Sequence, residues 1–307
     1  MRIFKIFLSF LIILVTLNIN SSSAERNIMF FSSFFEEKLN FYQKINNRSY
    51  SDLTFVGNEL WAFAPSSEDN KEFDYIYRYK VDFDKNEFVL LGKIKHNFGH
   101  CNSVDYNPAN DCLIFGSGST YEKEMYNKIY FVKNISKLNK NELDINRDAI
   151  TIDLSLEDRF FGSKVNVCWE NENRFFIFSS YENTCFIRLC KLTDYSENNY
   201  KLEYIYSNKT SYSYDVCTQG LEYRNGYLFE GYGHNSFQLF VREINENFIK
   251  TVNFSYKINI DYFEKDIENE TIQGVSIIDN HLIICLVKNY YLTYFLSYDL
   301  TDLENSL

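Results

Sequence analysis

The sequence predicts an all-β fold: a five-bladed β-propeller of four-stranded blades, with the ring closed by the amino-terminal strand. Three observations predict it. Nearly every apolar run is short, rich in β-branched and aromatic residues, and bounded by Asn, Asp, Gly or Ser. A strand–turn–strand unit recurs five times, starting at residues 53, 104, 167, 221 and 275. The last unit runs out after a third strand, at Tyr298, so its sheet needs a strand from elsewhere to avoid an open edge. A pair of β-sandwiches is the alternative reading of the same runs.

The five paired strands are Leu53–Phe55 with Leu60–Phe63, Val104–Tyr106 with Leu113–Gly116, Val167–Trp169 with Phe175–Phe178, Leu221–Tyr223 with Tyr227–Glu230, and Val275–Ile277 with His281–Ile284. Turn residues separate each pair, among them Gly57-Asn58, Asn107-Pro108, Asn225-Gly226 and Asp279-Asn280. Third strands follow at Tyr75–Val81, Lys128–Val132, Cys185–Leu192, Phe237–Ile244 and Tyr291–Tyr298. Fourth strands follow at Phe88–Ile94, Ala149–Leu154, Leu202–Tyr206 and Phe248–Tyr256. Four strands in roughly 50 residues is the repeat of a propeller blade. Ile135–Leu143 reads as a short turn-rich insert. Asn27–Phe35 is the expected donor of the missing outer strand. In the third strand of the first unit, Tyr75, Tyr77 and Tyr79 alternate and predict one wet, Tyr-rich face.

Composition sets limits on function. Of 307 residues, 45% are hydrophobic and 18% aromatic, with 25 Tyr and 29 Phe, which excludes a low-complexity disordered chain. The formal net charge of −11 argues against nucleic acid and anionic lipid as partners.

The amino end reads as a targeting segment. Arg2 and Lys5 precede the apolar run Ile6–Leu17, and Ser22-Ser23-Ala24 offers small residues for cleavage after Ala24. The expected organisation is a signal peptide over residues 1–24 and a single propeller domain over 25–307. The mature protein is then secreted, periplasmic or extracellular, with no membrane association after cleavage. Seven Cys follow the signal, an odd number, and none has CxxC spacing. The four His show no metal-binding spacing, and Gly116-Ser117-Gly118-Ser119 lacks the Lys of a phosphate-binding loop. No cofactor is therefore expected.

Candidate binding residues lie where the first strands of the repeats open, because innermost strands line a propeller's channel. Thr218-Gln219-Gly220-Leu221 and Ile272-Gln273-Gly274-Val275 match closely, and Gly99-His100-Cys101-Asn102-Ser103-Val104 occupies the same place in the second unit. His100, Asn102, Gln219 and Gln273 are thus expected to converge on one channel mouth. Amides at such corners also commonly satisfy backbone groups between blades.

One segment, Cys217 to Gly233, carries a family resemblance. Its Thr218-Gln219-Gly220-Leu221 opening, Asn225-Gly226 turn and Tyr227-Leu228-Phe229-Glu230-Gly231 strand resemble the signature blade of plant and bacterial glutamine cyclotransferases. The resemblance covers about seventeen residues. It implies a five-bladed propeller that converts an amino-terminal glutaminyl group to pyroglutamyl with release of ammonia. It also implies that Glu230 is the catalytic carboxylate and Gln219 the pocket amide, while strand alternation puts Tyr232 on the face of Glu230, where it is expected to line the substrate pocket. A single Glu can move the proton from the attacking amine to the leaving nitrogen if burial lifts its pKa. Two readings follow. One is a cyclotransferase acting on a peptide amino terminus. The other is a noncatalytic propeller holding an extracellular protein or glycan, with Glu230 facing solvent or fixed by Arg or Lys.

Overall fold

A computed structural model describes residues 39–46, 48–64, 74–116, 127–138, 141–154, 165–181, 184–193, 202–210, 217–233, 238–244, 253–257, 270–288 and 292–301. The expected signal segment 1–24 and the segment Asn27–Phe35 lie outside them.

The described chain is nearly all β and forms a five-bladed propeller. After β1 (Leu39–Asn46), blade 1 comprises β2 (Asp52–Val56), β3 (Glu59–Ala64), β4 (Asp74–Asp82) and β5 (Glu87–His96). Blade 2 comprises β6 (Ser103–Asn107), β7 (Cys112–Gly116), β8 (Lys128–Lys133) and β10 (Ala149–Asp153). The insert before β10 supplies a 3-10 turn (Ile135–Lys137), a two-residue β9 (Glu142–Leu143) added in parallel to β5, and a one-turn helix α1 (Ile145–Asp148). Blade 3 comprises β11 (Val165–Trp169), β12 (Arg174–Tyr181), β13 (Thr184–Leu192) and β14 (Leu202–Thr210). Blade 4 comprises β15 (Cys217–Arg224), β16 (Tyr227–Gly233), β17 (Gln238–Glu243) and β18 (Asn253–Lys257). Blade 5 is β19 (Glu270–Ile278), β20 (His281–Lys288) and β21 (Leu292–Asp299), completed by β1.

Every blade is an antiparallel meander, so side chains of one strand alternate between the two neighbouring blades. The consequence is one apolar cluster at each seam. Leu53, Val104, Val167, Leu221 and Val275 occupy the same position of the five innermost strands. Each packs toward the preceding blade, in the clusters between blades 5 and 1, 1 and 2, 2 and 3, 3 and 4, and 4 and 5 respectively. The Asn225-Gly226 turn has positive φ at both residues (49° and 85°), the backbone that a two-residue hairpin requires.

The ring closes through an amino-terminal strand, but not the one expected. The outer place in blade 5 is taken by Leu39–Asn46, paired antiparallel with β21 from Leu39↔Tyr298 to Asn46↔Leu292. Asn27–Phe35 looks more strand-like because it is richer in Phe. Closure instead selects a segment whose alternate residues fit blade 1. Phe41 is buried against Phe88, with ring centroids 5.2 Å apart. Two residues on, Gln43 donates Nε2 to the Phe88 carbonyl (3.1 Å) and accepts the Phe88 N–H at Oε1 (2.6 Å). Its side-chain amide stands in for a strand neighbour at the outer edge of β5.

Candidate functional site

The innermost strands β2, β6, β11, β15 and β19 each contact the next around the axis. They have no sheet partner on the axial side, so their outward N–H groups need acceptors from elsewhere. Side chains of the preceding blade supply them at two levels. At the first level, Asp52 Oδ2 accepts Val104 N–H (2.6 Å) and Ser103 Oγ accepts Val167 N–H (2.6 Å). Two residues further along, Thr54 Oγ1 accepts Tyr106 N–H (3.1 Å), Asp105 Oδ2 accepts Trp169 N–H (2.7 Å), and Glu222 accepts Ile277 N–H. Ser276 Oγ also donates to Glu222 Oε2 (3.1 Å). Asp52, Thr54, Ser103 and Asp105 are buried, and Glu222 is partly covered.

Burial raises these carboxyls. Desolvation lifts Asp52 well above the usual carboxylate range, against the pull of the Leu53 and Val104 amides. It pushes Asp105 up to about 7. Glu222 rises well above its ordinary value, first from desolvation and then from the neighbouring Asp105 charge. These three carboxylates escaped the sequence reading. The signal was present: Asp52 stands one residue before the recurring apolar position, and Asp105 and Glu222 one residue after it.

In blades 4 and 5 the residue before the recurring position is Gly220 or Gly274, and here the strands approach more closely. A Cβ on Gly220 would lie 2.6 Å from Val275 N, and one on Gly274 would lie 2.5 Å from Asp52 Oδ1. Both glycines follow a β-bulge. The pairing of β15 with β16 shifts between Thr218 and Gly220, and that of β19 with β20 between Ile272 and Gly274. The extra residues are Gln219 and Gln273. A bulge re-aims a side chain, and two neighbouring blades carry one at the same level.

Of the expected mouth residues, Gln219 and Gln273 occupy the same bulged position of the adjacent blades 4 and 5, and Asn102 stands just ahead of β6, where no bulge occurs. Asn102 (1% exposed) and Gln219 (6%) are covered, whereas Gln273 and His100 keep accessible surface. His100 lies between two residues in the left-handed region, Gly99 (φ 72°) and Cys101 (φ 45°). That backbone sets its position just ahead of β6. Tyr232 is in β16, and its side chain lies outside the described residues.

Glu230 lies on the face of blade 4 that packs on blade 3. Its cross-strand partners are Leu221 and Phe240, and Leu228 stands two residues away on the same face. The residue is fully buried, and Arg242 Nε donates to its Oε2 at 2.8 Å. Arg242 is itself 1% exposed and pairs across the strands with Leu228. The carboxylate is thus held by a guanidinium inside a seam otherwise built from Cys168, Phe176, Phe178, Ile187, Leu189, Leu221 and Leu228.

The Tyr-rich face differs from expectation. Tyr79 is 1% exposed and bonds through its hydroxyl to Tyr50 (2.6 Å), with Arg48 donating to it at 2.9 Å. Tyr79 points into the seam between blades 5 and 1, where Phe295 stacks on Tyr50, while Tyr75 and Tyr77 are half-buried and keep accessible surface. Cys101, Cys112, Cys168, Cys190 and Cys285 are buried; the side chains of Cys185 and Cys217 lie outside the described residues.

No family model matches the chain, and no curated relative matches it. Solved structures with a similar course include the tail fibre of Staphylococcus aureus phage P68, at 13% identity over 91% of this chain and 57% of that chain, with a TM-score of 0.47. A GH43 glycoside hydrolase engineered to display endo-xylanase and exo-arabinofuranosidase activity is 9% identical over 83% of this chain and 51% of that one, with a TM-score of 0.49. Kluyveromyces lactis Hsv2 is 11% identical over 78% and 60%, with a TM-score of 0.33. The chain spans between half and three fifths of the length of these structures. At such identities they carry nothing about activity.

Proposed function

We propose that this protein is a noncatalytic binding propeller that holds a neutral, hydroxyl-rich ligand of the glycan class at the mouth bearing Gln273 and His100. The observation that carries the reading is the pair of bulges that puts Gln219 and Gln273 at the same position of two adjacent blades, with Gln273 keeping accessible surface. A carboxamide offers a donor and an acceptor without net charge, which suits adjacent hydroxyls. Gln273 and His100 contact the ligand, and the covered Asn102 and Gln219 support them from beneath. The cyclotransferase reading draws less support, because a proton shuttle needs an open carboxyl and Glu230 is fully buried on Arg242.

Two assays on the chain lacking residues 1–24 separate the readings. On an array of neutral oligosaccharides, the expected result is binding that weakens by roughly 3- to 10-fold in Gln273→Ala, the worth of one lost neutral hydrogen bond. With a Gln-initiated peptide, the expected result is no release of ammonia. Ammonia release that disappears in Glu230→Gln would instead establish the cyclotransferase reading.

A further inference from the structure

The outer strands of blade 1 carry a positive patch on a chain whose net charge is −11. Along β4 the face turned to blade 5 passes from the buried Tyr79 to the half-buried Tyr77 and Tyr75. In the pairing of β4 with β5, Lys93 stands opposite Tyr77 and Lys95 opposite Tyr75, so both lysines share that face, and both are exposed. We propose that Tyr75, Tyr77, Arg48 and Lys93 form a second binding site, separate from the Gln273 mouth, for a short saccharide bearing carboxylates: the two cations hold its acid groups and the two rings take up its sugar faces.

The geometry favours this. The Lys93 ammonium lies over the Tyr75 ring, 4.2 Å from its centroid, and the Arg48 guanidinium lies over the Tyr77 ring at 4.4 Å. The two ring centroids are 6.3 Å apart, so one short ligand can reach both charges. Arg48 is fixed on two sides. Its Nη1 donates to the Tyr79 hydroxyl at 2.9 Å, and its carbonyl accepts from Thr293 Oγ1 at 2.8 Å. A guanidinium already held in place loses little freedom when it receives a carboxylate.

The surroundings supply no competing acid among the described residues. The groups acting on Arg48 are the hydroxyls of Tyr50 and Tyr79. Asp82 and Glu87, the described side-chain carboxylates of β4 and β5, stand opposite each other one position beyond Val81 and Phe88. Alternation puts them on the other face, where Lys80 and Lys85 pair with them. Blade 5 contributes Ile45, Thr293 and Phe295, all uncharged. A carboxylate arriving from outside therefore meets attraction with no resident anion to displace. The hydroxyl-bearing rings favour a sugar over an acidic peptide, since a ring face takes up C–H groups while a phenol pairs with a sugar hydroxyl. The ligand is short, because a long polyanion would meet the acidic remainder of the chain.

The test is calorimetric titration of the full chain with trigalacturonate, the uncharged galactotriose and triglutamate. Trigalacturonate is expected to bind, and to bind more weakly as salt is raised. Lys93→Glu, at an exposed position, is expected to weaken it by about 10-fold. Tyr75→Ala is expected to weaken it by about 3- to 10-fold. Lys137→Glu, an exposed lysine of the blade 2 insert, is expected to leave it unchanged. Galactotriose bound at the Gln273 mouth is expected to be indifferent to Lys93→Glu, which keeps the two sites distinguishable. Trigalacturonate that does not bind, or that weakens equally in Lys93→Glu and Lys137→Glu, overturns the proposal. So does galactotriose that weakens as much as trigalacturonate in Lys93→Glu, or triglutamate that binds as tightly and loses as much in both site variants. If Tyr75→Ala does not fold, Lys93→Glu decides alone.

Discussion

At the residue before the recurring axial position, blades 1 to 3 and blades 4 to 5 meet the same packing demand differently, although Glu222 of blade 4 also bridges to Ile277 N–H and Gly116 of blade 2 also lies close against Val165. In the first arc, Asp52, Thr54, Ser103 and Asp105 reach across to the N–H groups of the next inner strand, and each blade remains its own sheet apart from the short β9 added to blade 1. In the second arc, Gly220 and Gly274 remove the side chain, and the strands close to backbone contact. The second arc goes further: β16 pairs with β19 at Gly233↔Thr271, so blades 4 and 5 share one eight-stranded sheet with β1. A propeller can thus satisfy or bypass its axial N–H groups with an acid, a hydroxyl or no side chain at all. Residue types that look unrelated in a repeat alignment answer one geometric question.

The largest test of this division lies at the junction of the arcs, the seam of blades 3 and 4. Among the described residues its apolar cluster is the smallest of the five, and it contains the Glu230–Arg242 pair. Arg242→Leu strands a buried carboxylate, and a loss of about 3–5 kcal/mol is expected by urea unfolding. The double variant Glu230→Leu, Arg242→Leu is expected to recover most of it. A double variant no better than the single would show that the pair acts through more than mutual neutralisation.

Within the arcs, Gly220→Ala should cost more than Ser103→Ala. The new methyl would meet backbone atoms of Val275 and Gly274 that cannot swing aside, and about 2–3 kcal/mol is expected. Removing the Ser103 hydroxyl leaves Val167 N–H without that acceptor, for about 1–2 kcal/mol. Equal costs, or the reverse order, would erase the distinction between close approach and side-chain bridging.

Acid also probes the first arc. His96 is fully buried between Phe63 and Phe98, and desolvation lowers its pKa to about 3. Its contribution is complete above the unfolded His value and is lost as pH falls from about 6.5 toward 3. Over that window, the stability of wild type relative to His96→Gln is expected to fall by roughly 1.4 kcal/mol per pH unit. A difference that does not change with pH would mean that His96 is not held neutral. The smallest effect is expected at the closing strand, where Gln43→Ala removes two partly buried bonds to Phe88 and costs about 1 kcal/mol. A larger loss there would make ring closure depend more on that clip than on the pairing of β1 with β21.

Much of the ring could be read from the sequence, because strand alternation and turn chemistry repeat five times. The starts at Leu53, Val104, Val167, Leu221 and Val275 mark the axial strands, and the short final unit signals closure from the amino end. The closing segment itself was misplaced. Phe content favours Asn27–Phe35, whereas the fit of Phe41 and Gln43 to blade 1 favours Leu39–Asn46, and that fit depends on a residue far away in the chain. Tyr79 misled for the same reason, since alternation fixes a face but not whether a neighbouring blade covers it. The axial acids were hidden because Asp52, Ser103 and Gly274 share a position without sharing chemistry. Arg242 was invisible as the partner of Glu230, because pairing across β16 and β17 depends on register.

Amide hydrogen exchange tests the central claim most directly, namely that side chains of one blade hold the axial N–H groups of the next. Exchange at Val104, Val167 and Trp169 would be compared between wild type and Ser103→Ala. The account predicts that Val167 alone loses protection, because Ser103 Oγ is its acceptor, while Val104 and Trp169 keep theirs on Asp52 and Asp105. Unchanged protection at Val167, or an equal loss at all three amides, would contradict it.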